Sequence, residues 1–399
     1  MAGAARHDLV ALREGSGVVG IRSAGRNWLN RVAIARARLG LVPPVCESIE
    51  TWAAERQGAP SQLLFAPRRI ERALPRTIEP EIHEEYRSRL IANQRGRYLV
   101  PVNGATLVGA NGLVMLPDGS FAAESVYGRP NVEEEPAYYA LRRRPVVAKA
   151  GNYFSLVVKW AVGDGNYYHW LHDTLERLYG VIPLLPDDTR FIVPAALKPF
   201  QRESLQLLGI EEHRLAVFSG EESWRLERLY FAPPVNNSGS HRRDADEWLR
   251  DRLFDGLGIT PSSTPNRRIF ISRRGMPNRR LVNEAEVQAF LGPSGFETCA
   301  PETLTLRDQV ELFSQAEVVV STHGAAFTNI LFSPSGLTVV DMVQPSMLKW
   351  AYVFWAMSEE LGHRYWYFNA QGLPHAGHQD DTYVPIEKLA ATFEQLQIG

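Results

Sequence analysis

The sequence predicts an α/β protein of two Rossmann-like, largely parallel-sheet units facing an interdomain cleft, behind an N-terminal β-hairpin-rich extension. Three observations predict this. From residue 155 onward short apolar runs of strand length alternate with helical periods, the pattern of βαβ units. The alternation breaks once, at PPVNNSGSHRR (233–243), and then resumes. A chain of 399 residues is also too long for one ordinary core, so two units are the expectation.

Taken in order, residues 1–95 form the extension, helical and basic at its start. Between Arg6 and Arg38 there are seven arginines against Asp8 and Glu14 alone. RNWLNRVAIARARLGL (26–41) has helical propensity and is read as a helix packed on the domain with its arginines in water. The alternative is peripheral contact with an anionic membrane surface. From Tyr98 to Val147, Asn-Gly and Asp-Gly pairs between apolar runs predict hairpins. SLVVKWAV (155–162), FIVPA (191–195) and RLERLYFAP (225–233) read as strands, and PFQRESLQLLG (199–209) as a helix. These elements give a first unit over 96–240.

The second unit, 241–399, opens with the helix DADEWLRDRLFDGLGI. Strands follow at RRIFISR (267–273), VVVSTHG (318–324), LTVVDMV (337–343) and RYWYFN (364–369). Asn283 with Glu286 makes a cap-like start for the helix NEAEVQAFLG. PIEKLAATFEQL (385–396) closes the chain as a helix that can pack back on the first unit.

Bulk properties narrow the function. A net charge of −2 argues against a nucleic-acid binder. Cys46 and Cys299 fit no metal-binding spacing and suit a reducing compartment. No apolar run reaches the roughly 18 residues that cross a bilayer, and MAGAARHDLVALREG lacks the apolar centre of a signal peptide. A soluble cytoplasmic protein is expected.

Three segments carry chemistry. GDGNYYHWLHDTLERLYG (163–180) sets His169, His172, Asp173 and Glu176 within two helical turns. On a helical wheel they lie opposite Tyr168, Leu171, Leu175 and Leu178, which suggests a solvated polar face. The segment also starts at a strand's carboxyl end, where a histidine and an aspartate four residues apart can support one another as a general base. A zinc site is the third reading, but it requires a further ligand from elsewhere.

ISRRGMPNRRL (271–281) gathers Arg273, Arg274, Arg279 and Arg280 in one strand-to-helix loop, an anion site unless the charges are merely solvated. STHGAAFTN (321–329) runs from strand into helix start, and its backbone N–H groups suit phosphate. His323 can bond the same group or be a satisfied core histidine. Asp341 can accept from ribose hydroxyls or serve a turn. Asp244 and Asp246 form a DxD, read as acids favouring a helix start, and His375, His378, Asp380 and Asp381 read as a polar loop.

Together NYYHWLHDTLERL, RIFISRRGMPNRRLVNEAEV, the stretch GFETCAPETLTLRDQVELFSQAEVVVSTHGAAFTNILF and LTVVDMV resemble glycosyltransferase family 61 in order and spacing, over roughly residues 150–345. The resemblance implies a GT-B fold and inverting transfer of a hexosyl or pentosyl group from a nucleotide sugar to a hydroxyl of a glycan or lipid-linked acceptor. It implies Asp173 as base with His169 beside it, and Asn166, Tyr168 and His172 on the acceptor side. Arg273, Arg274, Arg279, Thr322, His323, Gly324 and Ala325 fall to the donor phosphates and Asp341 to ribose. Cationic side chains would replace a divalent metal, so no cofactor is expected beyond the donor. Glu176 stands where the family pattern has proline, and Asp341 where glutamate is usual. Lack of a signal segment resembles bacterial members that make surface polysaccharides. The alternatives are a nucleotide-sugar-binding subunit without catalysis, or an epimerase or hydrolase on the same fold.

Overall fold

The computed structural model describes residues 43–140, 145–162, 165–235, 239–373 and 380–398. The arginine-rich segment, Gly163 and Asp164, and His375 and His378 lie outside the described residues.

Two sheets organise the chain. The larger is mixed. Its parallel half runs Ser223–Phe231, Val146–Ser155, Arg190–Pro194 and Leu215–Phe218. Its antiparallel half is the predicted hairpin region, where Arg97–Asn103 and Thr106–Val108 both pair with Ser223–Phe231. Thr106–Val108 then pairs with Leu113–Met115. Gly104 and Gly112, each after an asparagine, hold the positive φ these turns demand.

The second sheet is parallel throughout, in the order Phe296–Cys299, Arg267–Ile271, Ala316–Thr322, Thr338–Val343, Arg364–Asn369 and Arg76–Thr77. Val318, Val319, Val320, Val339 and Val340 are all buried, as unbroken apolar runs must be in strands covered on both faces. The last strand, Arg76–Thr77, comes from the N-terminal extension, which is thus paired into the second sheet.

Two elements depart from expectation. SLVVKWAV is not a strand: pairing ends at Ser155, and Leu156 N donates one last bond to Ile192 O. The chain then turns so that Lys159 can meet Glu134 and Glu135. The closing helix Ile386–Leu396 does not return to the first unit. Leu389 and Phe393 pack with Val287, Leu291 and Val340 on the second sheet, because its apolar stripe finds an uncovered face there.

One core joins both sheets. Phe154, Leu171 and Leu175 from the first unit share a cluster with Ile269, Val319 and Val339 from the second. Leu249, Leu253 and Phe254 of the helix Arg243–Leu257 belong to it, as do Phe354 and Trp355 of the helix Tyr352–Leu361. Burying each such side chain contributes about 1.5–3 kcal/mol. Among the described residues no helix is long and apolar enough to cross a membrane.

A Cβ at Gly112, where φ is +72°, would stand 2.7 Å from Val157 O; at Gly119, where φ is +87°, it would meet nothing within 4 Å. Gly112→Ala should therefore cost about 2–4 kcal/mol of unfolding free energy and Gly119→Ala only about 1–2. Urea unfolding of the two variants checks this, and equal losses would remove the packing argument.

Candidate active site

The segment after the strand Val146–Ser155 is wound irregularly, with a π-helical turn at His169–Thr174 and a 3₁₀ turn at Leu175–Leu178. Wide turns of this kind occur often at functional sites. Leu171, Leu175 and Leu178 are buried as the wheel suggests, but the solvated-face reading fails. His172 and Asp173 are each 4% exposed and Glu176 1%. Leu171 and Leu175 pack with Phe154 of the first sheet and Leu249 of the helix Arg243–Leu257, and of the four polar residues only His169 keeps partial exposure.

Two histidine–carboxylate pairs result. His169 Nδ1 donates to Asp173 Oδ2 at 2.5 Å, and His172 Nδ1 pairs with Glu176 Oε1. The members of the first pair differ in exposure: the His169 side chain is 19% exposed and Asp173 4%. Asn166 is exposed and accepts from His169 N. Tyr168 and His172 are buried. The Tyr168 hydroxyl accepts from Gly239 N and lies 3.0 Å from His241 Nε2, so it faces the linker between the units and not open solvent.

Aromatic rings line the approach to this pair. Tyr127 stacks on Trp160 at 4.7 Å, and Trp160 lies 5.5 Å from the His169 ring. The Tyr127 hydroxyl is buried without a hydrogen-bond partner. Burial and then the charge of Asp173 hold its pKa well above that of an ordinary phenol. Tyr127 also has φ +66°, a conformation that costs a non-glycine residue about 1–3 kcal/mol. A cavity of about 300 Å³ opens beside it, lined by Arg95, Arg97, Glu124, Tyr127 and Pro233 among others.

On the second sheet the neighbouring strands Arg267–Ile271 and Ala316–Thr322 end side by side, and their loops form a basic cluster. Arg273 is buried, with Nε on Arg279 O and an Nη on Asn278 O. Burial, then Arg279, lower its pKa to about 10. The other Nη lies so near Gly324 that a Cβ there would stand 2.6 Å from it. That close approach is why the position is glycine, since its φ of 176° is open to any residue. Arg279 donates to His323 O at 3.2 Å, and its Nε is buried without a partner. Its φ is +56°. Arg274 is exposed, and Arg280 is turned away onto Asp381.

His323 Nδ1 donates to Asp341 Oδ2 at 2.7 Å, and Tyr365 Oη donates to the same oxygen at 2.8 Å. Asp341 lies within its strand, fully buried, so it stands behind His323 and offers ribose no open face. Thr322 Oγ1 is buried without a partner, and Ala325 begins the following 3₁₀ helix.

The two motif regions meet across Phe354, 5.7 Å from the Tyr168 ring and 5.1 Å from His323. Tyr167 Oη reinforces the contact by donating to Asn329 Oδ1. Sequence reasoning passed over Phe354 and Tyr127, since neither carries a local signal. It also missed Arg97 and Arg177. Arg177 binds Ser155 O and Ala232 O, the carboxyl ends of two adjacent strands, and Arg97 binds the carbonyls of Arg177, Tyr179 and Pro233.

A polar pair and a basic cluster thus stand at the carboxyl edges of two sheets. Residues 167–340 match the model of the glycosyltransferase 61 family. It is 37% identical to a beta-1,2-xylosyltransferase of Oryza sativa subsp. japonica over 109 residues, 27% of this chain and 19% of that protein. It is 27% identical to the protein O-linked-mannose beta-1,4-N-acetylglucosaminyltransferase 2 of Mus musculus over 219 residues, 52% of this chain and 33% of that one. The match thus takes in a third or less of either relative's length.

Asp341→Asn should lower unfolding free energy by about 1–3 kcal/mol, because a neutral amide oxygen accepts the two bonds more weakly and its N–H₂ is left buried where Oδ1 has no partner. Tyr365→Phe, which removes one donor and leaves His323 paired, should cost about 1 kcal/mol or less. Chemical denaturation of both checks the order.

Proposed function

We propose that this protein is an inverting glycosyltransferase that moves a sugar from a nucleotide sugar to an acceptor hydroxyl, with the two units acting as the halves of a GT-B arrangement. The observation that carries the reading is that Phe354 joins Tyr168, the residue before the His169–Asp173 pair, to His323 of the arginine cluster. Transfer needs a base on one side of the anomeric carbon and positive charge on the other. The names of the relatives, a xylosyltransferase and an N-acetylglucosaminyltransferase, support transfer of a pentosyl or hexosyl group.

The exposures favour an exchange of the roles that the resemblance implies. A buried carboxylate on imidazole Nδ1 fixes the ring's tautomer and leaves Nε2 to take a proton. His169, the more exposed member, would then deprotonate the acceptor hydroxyl, and Asp173 would steady the imidazolium. The acceptor oxygen forms its bond to the anomeric carbon as the bond to the diphosphate oxygen breaks on the opposite face. Arg273 and Arg279, fixed before the donor arrives, stabilise the departing charge without reorganisation. The Tyr127–Trp160 stack offers a flat face to an acceptor sugar. A glycan or lipid-linked acceptor, a role in surface polysaccharide synthesis and independence from a catalytic metal belong to the same proposal.

Asp173→Asn should bind donor nucleotide like wild type yet lose about 10²–10⁴-fold in transfer rate. His169→Gln should lose as much. Added imidazole separates the two roles: it restores rate to a His169→Gly variant when the imidazole is the base, and leaves it unchanged when the carboxylate is. A non-catalytic binding subunit predicts no transfer in the wild type at all.

Arg273→Ala and Arg279→Ala should each weaken nucleoside diphosphate binding by about tenfold or more, and nucleoside binding less. Calorimetric titration checks this, with wild-type affinity in both variants placing the phosphates elsewhere. Transfer should persist in excess EDTA, and loss of rate restored by manganese would contradict the metal-free step.

A further inference from the structure

The zinc reading of the 163–180 segment lacked a further ligand, and the fold supplies two. Asp246, in the first turn of the helix Arg243–Leu257, is not a solvated helix-start acid; it is fully buried. Its Oδ1 lies 3.2 Å from His172 Nδ1 and 3.4 Å from His241 Nδ1. Among the described residues these three side chains bring a ligand atom each to within 4.8 Å of one another. Glu176 closes on His172 from the fourth side.

The protein's own hydrogen bonds leave this cluster incomplete. His172 Nε2, Glu176 Oε2 and Asp246 Oδ2 are all buried without a partner. Their residues are 4%, 1% and 0% exposed. Two carboxylates at that depth require positive charge close by, and a divalent cation would neutralise both while the two imidazoles stay neutral.

We propose that His172, Glu176, His241 and Asp246 form a structural zinc site joining the 167–178 segment to the linker and the helix after it. Four ligands at about 2.0–2.1 Å from a tetrahedral ion stand about 3.3–3.4 Å from one another. The two separations from Asp246 Oδ1 lie near that edge, while Glu176 Oε1 sits closer to His172 Nδ1 than the edge, so Glu176 must shift to bind the ion. Tyr168 Oη on His241 Nε2 is the outer hydrogen bond that orients a metal-bound imidazole. The Tyr168 ring lies against both His172 of this site and His169 of the proposed catalytic pair, so the site would brace the pair without being part of it.

The test is the metal content of tag-free protein grown with zinc and purified in metal-free buffer. Wild type should hold about one zinc per chain, and Asp246→Asn and His241→Gln, folded by circular dichroism, less than about 0.2. Wild type without zinc overturns the site and leaves the carboxylates balanced by protons. Zinc retained in both variants overturns it too, by placing the ion elsewhere. If the variants do not fold, cobalt-grown wild type decides. Intense visible absorption of a tetrahedral nitrogen–oxygen site is expected, and a weak octahedral spectrum refutes it.

Discussion

The backbone between Ser155 and Tyr179 depends on two buried guanidiniums. A chain that passes from strand to π turn to 3₁₀ turn leaves carbonyls that no regular ladder satisfies, and burial makes each costly. Arg177 takes Ser155 O and Ala232 O, which ties the ends of two parallel strands together. Arg97 takes the carbonyls of Arg177, Tyr179 and Pro233. Burial, then the Arg177 charge, lower the Arg97 pKa to about 9; burial lowers that of Arg177 to about 10. Nearby negative charge opposes the effect: Glu176 for Arg97, Asp173 for Arg177. The carboxylate of the proposed catalytic pair is therefore also a counter-charge of the scaffold.

The second sheet solves the opposite problem. Its strands pair in parallel with one register shift, at Arg267 and Arg268, and the basic cluster sits in the loops at their carboxyl ends. There the backbone is held where it would not rest by itself. Apart from Gln397 at the end of the last helix, Tyr127 and Arg279 are the described non-glycine residues with positive φ, and both border the candidate site. Each conformation must be held by its surroundings. Gly324 is the complementary device, a missing side chain that lets the Arg273 guanidinium lie against the backbone. A cationic surface fixed in this way suits a diphosphate, since no charge has to be gathered when the ligand binds.

Much of the architecture is legible in the sequence because its signals are local. Valine runs at 318–320 and 339–340 mark strands buried on both faces, Asn103-Gly104 and Asn111-Gly112 mark turns, and the family motifs mark the two segments that meet. Exposure is not local. The wheel placed Asp173 and Glu176 in water because it assumes 3.6 residues per turn and one covered side; the segment has neither. SLVVKWAV has a strand's composition, yet Lys159 finds its ion pairs only by leaving the sheet.

What the sequence by itself determined is the α/β alternation, the resemblance to the glycosyltransferase 61 family through its middle, and which residue types can bear charge. Only the tertiary structure decided which of those residues face one another. Asp246, 74 positions from His172, becomes its neighbour through the packing of one helix, and Phe354 joins Tyr168 to His323 across the shared core. Period and propensity report on a few adjacent residues. Long-range contacts depend instead on how whole elements bury their apolar faces together.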